Sequence, residues 1–368
     1  MRQMRRRGLQ TAILGTLLIA CHGPEDSHRP EPPTDQASAT HLQSAPQPRP
    51  QRHGAKAPQG IKNHTAPFNF TEVFDRVSPS TVGVAAGHPG TRGFVVRQSG
   101  SGFVWDQNDH IVTNAHLVAE SNRIRIRTKD GRVLKAHLVG LDIGTDLAVL
   151  KVEGLSLPSL PRASTNDVRP GQWVAAIGNP YGMDHSITVG VVSAIRRRNL
   201  PGGAAKYAEF IQSDASIFPG NSGGPLVNTA GEIIGLNTAT LGGGLSFSTR
   251  IDMVETVTRR IIERGRFDRG FAGLYVKHVS HSAAETAGLE TPRGARVRGV
   301  VQGGPADKAG LRPGDIILEF DSREIDDSTT LPWLIAATPP GDAPELEVAR
   351  GKARLKVRLN VAASPSIP

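Results

Sequence analysis

A single cysteine, Cys21, stands among the 368 residues, so no intramolecular disulfide can staple this chain. The 12 histidines include no His-x-x-x-His pair, and paired cysteines are absent, which removes the usual spacing of a zinc site. No glycine loop carries the lysine that cradles a nucleotide phosphate, so neither metal nor cofactor is expected. Aromatic residues make up only 5%, against 41 glycines and 27 prolines, a balance that favours short strands and many turns. The apolar run at the N-terminus, Leu9 to Ala20, is too short to cross a bilayer comfortably. The formal charge of +9 falls to +5 once the four arginines before Leu9 are set aside, which gives no reason to expect nucleic-acid binding. Arg123, Arg125 and Arg127 alternate with Ile124 and Ile126 as the solvent face of a half-buried strand would. Arg196 to Arg198 likewise reads as solvated surface.

Arg2, Arg5, Arg6 and Arg7 followed by that apolar run form a targeting segment over residues 1–20. It ends in Leu18-Ile19-Ala20-Cys21, which resembles a bacterial lipoprotein box, with Cys21 as the lipidated residue and membrane attachment site. Residues 21–67 are rich in Pro, Gln, Ser and Ala, cannot bury a core, and read as a disordered tether. Extended, a tether of that length reaches on the order of 150 Å. The chain is therefore expected to be exported to the cell envelope, lipid-anchored on the periplasmic side.

The densest chemical signal is Phe218-Pro219-Gly220-Asn221-Ser222-Gly223-Gly224-Pro225. Glycines on both sides permit a sharp turn, in which the backbone N–H groups of Gly220, Asn221 and Ser222 can converge on one point as an oxyanion hole. A serine hydroxyl needs a neighbouring base. Thr113-Asn114-Ala115-His116 and Gly144-Thr145-Asp146-Leu147 supply one and its orienting carboxylate. The order His116, Asp146, Ser222 is that of chymotrypsin-type proteases.

Residues 68–264 show short apolar runs at regular spacing, as in an all-β barrel or sandwich, opened by a helix at Phe70 to Val77 and closed by one at Ile251 to Glu263. A smaller α+β unit follows over residues 270–361. It carries Gly303-Gly304-Pro305-Ala306-Asp307-Lys308-Ala309-Gly310-Leu311-Arg312-Pro313-Gly314-Asp315, in which Pro305 opens a helix and Gly310 ends it.

These motifs together resemble the HtrA (Deg) family of exported serine endoproteases, a trypsin-like domain followed by PDZ, over roughly Phe68 to Val361. The resemblance implies a chymotrypsin-like double β-barrel with its site at the junction, a homotrimer, and unfolded or damaged proteins as substrates in protein quality control. It also implies a PDZ loop at Phe271-Ala272-Gly273-Leu274 that holds peptide C-termini, and an S1 pocket lined by Leu245, with small aliphatic P1 residues preferred. Two readings compete with active proteolysis: a protease-dead homologue, and a PDZ chaperone or scaffold. The family's Gly-Phe-Ala-Ile-Pro segment is replaced here by Ser246-Phe247-Ser248-Thr249-Arg250, and the loop between His88 and Ser99 is short.

Overall fold

Short apolar runs bounded by turn residues build most of the barrel strands. In the computed structural model, residues 69–365 are described, except Arg92, residues 180–184, Asn199, residues 201–204 and Lys206. The targeting segment, the tether and Cys21 lie outside the described residues. Helix α1 (Phe70–Val77) is capped by Asn69, whose side-chain oxygen accepts the Thr71 N–H at 3.0 Å, and buries Val73 and Val77.

Six strands then close into a barrel: β1 (Thr81–Gly90), β2 (Gly93–Val104), β3 (His110–Asn114), β4 (Arg123–Arg127), β5 (Val133–Asp142) and β6 (Leu147–Lys151). Their order around the barrel is β1-β2-β3-β6-β5-β4. A short helix, α2 (Ala115–Val118), leaves the end of β3. The second barrel comprises β7 (Trp173–Gly178), β8 (Ser186–Arg197), β9 (Phe210–Ser213), β10 (Pro225–Asn228), β11 (Ile233–Thr240) and β12 (Ser246–Arg250), in the order β10-β11-β12-β9-β8-β7. Helix α3 (Ile251–Arg264) follows, burying Ile251, Val254, Val257 and Ile261 at helical spacing. It packs on β5 and β6 of one barrel and on β11 and β12 of the other, and so clamps the two.

The third unit holds β13 (Gly270–Phe271), β14 (Leu274–Lys277), α4 (His281–Thr286), β15 (Ala295–Val300), α5 (Pro305–Lys308), β16 (Ile316–Phe320), β17 (Arg323–Glu324), α6 (Thr330–Ala337), β18 (Glu345–Arg350), β19 (Ala353–Arg358) and β20 (Ala362–Ala363). Its main sheet runs β14-β15-β16-β18-β19, which leaves β14 on an edge, while β13 pairs with β20.

One reading of the sequence is corrected. Arg198 is not solvated: its side chain is 9% exposed and ion-pairs with Glu209, itself 3% exposed. Arg250 reaches the same carboxylate at 3.5 Å and Asp252 at 2.8 Å. From Arg198 the network continues to Asp327 at 3.4 Å, and Arg196 bonds Asp326 at 2.5 Å. The arginine run therefore joins the second barrel to the third unit. Arg250, in the altered Ser-Phe-Ser-Thr-Arg segment, is part of the same polar chain.

Candidate active site

The register of β3 against β6 assembles the base and its carboxylate. Thr113 pairs with Ala148 and Asn114 with Leu147, so the residues just beyond, His116 and Asp146, must meet. Asp146 Oδ2 lies 2.7 Å from His116 Nδ1, and its Oδ1 accepts the His116 backbone N–H at 2.9 Å. The Asn114 side-chain amide donates to Asp146 Oδ2 at 3.0 Å and to its carbonyl oxygen at the same distance. Each carboxylate oxygen is thereby fixed, and the imidazole is left one orientation relative to it. Asp146 itself has φ 57°, a left-handed conformation uncommon outside glycine.

That conformation is held from below. The buried Asp142 carboxylate accepts the Thr145 N–H at 2.9 Å and the Thr145 hydroxyl at 2.5 Å. Arg269, just before β13, ion-pairs with the same Asp142 oxygen and lies over the Tyr207 ring at 4.7 Å. Sequence reasoning missed Arg269, because nothing in the local motif ties a residue 127 positions away to the Asp146 turn.

The serine comes from the other barrel, in the turn before β10. Gly220 has φ 105° and Gly223 φ 86°, and a Cβ on Gly223 would stand 2.1 Å from the Ser101 carbonyl oxygen, so neither position accepts a side chain. Ser101, near the end of β2, stitches this turn to the first barrel. Its N–H donates to the Ser222 carbonyl at 2.8 Å and its hydroxyl donates to the Gly220 carbonyl at 2.6 Å. The same hydroxyl oxygen accepts the Asn179 N–H at 2.8 Å.

Of the three proposed oxyanion donors, Asn221 is corrected. Its N–H is engaged by the Phe218 carbonyl at 2.9 Å. Among the described residues the Gly220 and Ser222 N–H groups meet no acceptor, which leaves them available to a developing oxyanion. The Asn221 side chain is buried and neither of its polar atoms has a protein partner, and the same holds for Asn179 Oδ1. Ser222 Oγ makes no hydrogen bond with His116 in this arrangement, as is common before substrate binds.

Leu245 sits at the β11–β12 turn, 40% exposed, with its N–H bonded to Gly242 O and its carbonyl accepting the Leu241 N–H, both at 3.0 Å. The Ser246 hydroxyl accepts the Ile217 N–H at 3.2 Å, which brings the Ser222 loop beside this turn. Two further exposed apolar side chains, Phe218 and Leu241, were not singled out from sequence. Phe218, an aromatic four residues before the serine in a loop outside any strand, was the available clue.

In the third unit Phe271 ends β13, Ala272 and Gly273 form the turn, and Leu274 opens the edge strand β14. The Ala272 and Gly273 carbonyls accept from Ala306 at 2.9 Å and Val301 at 2.8 Å, and Gly273 has φ 67°. The N–H groups of Ala272 and Gly273 donate to no described group. A cavity of about 400 Å³ lies further along, between β14 and α6, lined by Val276, His278, Thr329 and Trp333 and bordered by Arg198 and Tyr207 of the barrel side. No cluster of metal-ligating side chains occurs among the described residues.

Two closed six-stranded barrels with a His–Asp pair on one and a glycine-flanked serine on the other define a chymotrypsin-like protease fold, here followed by a PDZ fold. A model of the trypsin-like peptidase domain matches residues 100–236, and a PDZ domain model matches residues 268–361. The chain is 43% identical over 297 residues to a probable periplasmic serine endoprotease, DegP-like, of Halomonas elongata, covering 79% of this chain and 61% of that protein. A protein of the same description from Ectopseudomonas mendocina is 39% identical over 304 residues, covering 81% and 63%. Among solved structures, the HtrA-type protease AlgW with tripeptide superposes with TM-score 0.69 at 34% identity, covering 81% of this chain and 98% of that one. The serine endoprotease from Yersinia pestis superposes with TM-score 0.60 at 31% identity, covering 81% and 99%. The chain belongs to the HtrA family of serine proteases. It spans about three fifths of the length of the curated relatives it matches.

Proposed function

We propose that this chain is an exported serine endopeptidase that cleaves unfolded or damaged proteins, with the PDZ fold capturing peptide C-termini or extended segments. The observation that carries the reading is the fixed His116–Asp146 pair at 2.7 Å on the barrel whose Ser101 holds the Ser222 turn. His116 removes the Ser222 proton as Oγ attacks the scissile carbonyl, and Asp146 stabilises the imidazolium that forms. The Gly220 and Ser222 N–H groups receive the oxyanion. The imidazolium then protonates the leaving amine, and water, activated by the same imidazole, releases the acyl group from Ser222. Leu245, with Phe218 and Leu241 nearby, supports an apolar S1 surface. The unused N–H groups of Ala272 and Gly273 beside edge strand β14 support carboxylate capture with the peptide added as a strand.

Residues 1–20 act as the export signal, lipid on Cys21 tethers the mature chain to an envelope membrane facing the periplasm, and three copies associate. The periplasmic descriptions of the relatives support the compartment. Incubating the mature protein and its Ser222→Ala variant with unfolded casein tests the reading. Cleavage by the first and not the second is expected, with labelling of Ser222 by a fluorophosphonate. Equal turnover by both proteins would end the serine-protease assignment.

A further inference from the structure

The first barrel carries a face whose charge no part of the proposed proteolysis uses. β4 alternates between exposed Arg123, Arg125 and Arg127 and buried Ile124 and Ile126. Arg125 stands directly opposite Lys135 on β5 and Ala85 on β1. Like charges in directly opposed positions destabilise a sheet, so this pairing is unfavourable without a counter-charge. Neither side chain has one among the described residues. The four contiguous strands β2, β1, β4 and β5 contain one acid, Asp142, which is buried and held by Arg269. Of the acids adjoining these strands, Asp130 is taken by Arg132 at 2.8 Å and Glu120 precedes β4 on the chain. Among the described residues Arg97, Arg123, Arg125 and Lys135 form no ion pair.

The same face is apolar as well as cationic. Val96 and Val133 are half or more exposed, and Phe94 lies beneath the Arg125 guanidinium at 4.6 Å. β1, in the middle, contributes the small residues Ala85 and Gly87, which keeps the centre low. A shallow cleft of about 570 Å³ runs beside it, lined by Arg123, Arg125, Val133, Lys135 and His137. Basic side chains interleaved with exposed aliphatic ones on a smooth surface are suited to the headgroup region of a bilayer, where the charges meet phosphates and the valines meet acyl chains. A free polyanion would use the charges and leave the valines in water.

We propose that this β2-β1-β4-β5 face docks on a membrane rich in anionic phospholipid, independently of any lipid on Cys21. The test uses the mature chain from Cys21 onward, made without its leader so that no acyl group is attached. It is floated with vesicles of phosphatidylcholine alone and of phosphatidylcholine mixed with phosphatidylglycerol. Recovery with the anionic vesicles only is expected, falling as added salt shortens the screening length. Each basic side chain near an anionic surface contributes about fivefold, so R123Q/R125Q/K135Q lowers the partition coefficient on the order of a hundredfold, while R123K/R125K keeps it. Melting curves show whether each variant is folded. If the triple change costs the fold, the single exposed Lys135→Glu replaces it, with a loss on the order of tenfold expected. Equal recovery on neutral vesicles, or undiminished binding by the folded charge variants, overturns the proposal. So does binding of inorganic polyphosphate without binding of vesicles.

Discussion

The two barrels contribute to the site under different physical conditions. On the first, every polar atom of the Asp146 carboxylate has a partner, and His116 is held through both its ring and its backbone. On the second, Ser222 rides in a turn with two left-handed glycines, in front of a buried Asn221 side chain with no protein partner. Buried polar groups without partners cost about 1–3 kcal/mol each, and both halves carry them: the Asn221 side chain beside the serine and Asn114 Oδ1 beside the base. Hydrogen bonds fix the His116–Asp146 pair while Ser222 Oγ makes none with His116, so under the proposed function the serine side is where a substrate's binding energy can act.

Substitutions on the two sides sharpen this contrast, and the largest effect is expected at the nucleophile. Ser222→Ala should lower kcat on a peptide substrate by on the order of 10⁶, with the melting temperature unchanged. Asp146→Asn should cost about 10⁴ in kcat, because an amide favours the wrong imidazole tautomer. A rate within tenfold of wild type would show that the base half is not preorganised through this carboxylate.

Arg269→Ala probes the support beneath the carboxylate. It leaves Asp142 buried and unpaired, which should destabilise the chain by about 3 kcal/mol and lower kcat on the order of a hundredfold through a displaced Asp146. A change confined to KM would place Arg269 in substrate binding and not in positioning. Rescue of kcat by Arg269→Lys, which keeps the charge, should be partial, since a lysine does not reproduce the guanidinium's planar hydrogen bonding.

The smallest effect concerns the link to the PDZ fold. Burial pushes the Asp327 carboxyl up, but hydrogen bonds from the Thr329 side chain and backbone, with the Arg198 and His278 charges, outweigh it and hold the group below its ordinary 3.8. A depressed carboxylate contributes stability above its unfolded pKa and loses it as pH falls through the folded value. Asp327→Asn should therefore lower stability at neutral pH, by no more than about 1 kcal/mol for a half-exposed group, and the difference should disappear as the pH falls below the ordinary 3.8 and through the lowered folded value. A difference between the two proteins that persists in acid would assign the effect to packing.

Much of the fold was legible because its strands are short apolar runs bounded by turn residues, with strict alternation at β4. β4 occurs where the pattern placed it, at Arg123–Arg127, and α1 spans Phe70–Val77. β5 was not legible: its register shifts between Leu138 and Gly140, which breaks the alternation. β10 begins at Pro225, a residue that argues against a strand, and β15 reads Ala-Arg-Val-Arg-Gly-Val without a bulky run. The candidate triad residues stood out in the sequence because each sits inside a glycine- or turn-containing motif that the chemistry would require. Their supports were not. Ser101, Asp142 and Arg269 act through contacts made only when distant segments close on each other, and no local pattern records such a contact. Arg198 misled for the same reason, since a run of arginines reads as surface until the Glu209 carboxylate is found beneath it.

Ser101 has one more consequence, and it concerns the order of events during folding. Its N–H, hydroxyl and carbonyl bond to Ser222, Gly220 and Thr113, and its hydroxyl also receives Asn179. The turn that carries the nucleophile thus obtains its shape from the opposite barrel. A nascent chain with only one barrel formed has either a base with nothing to activate or a serine in an unformed turn. Under the proposed function, proteolytic competence arises at the last docking step, so such a chain is harmless to its own unfolded neighbours until it has itself finished folding.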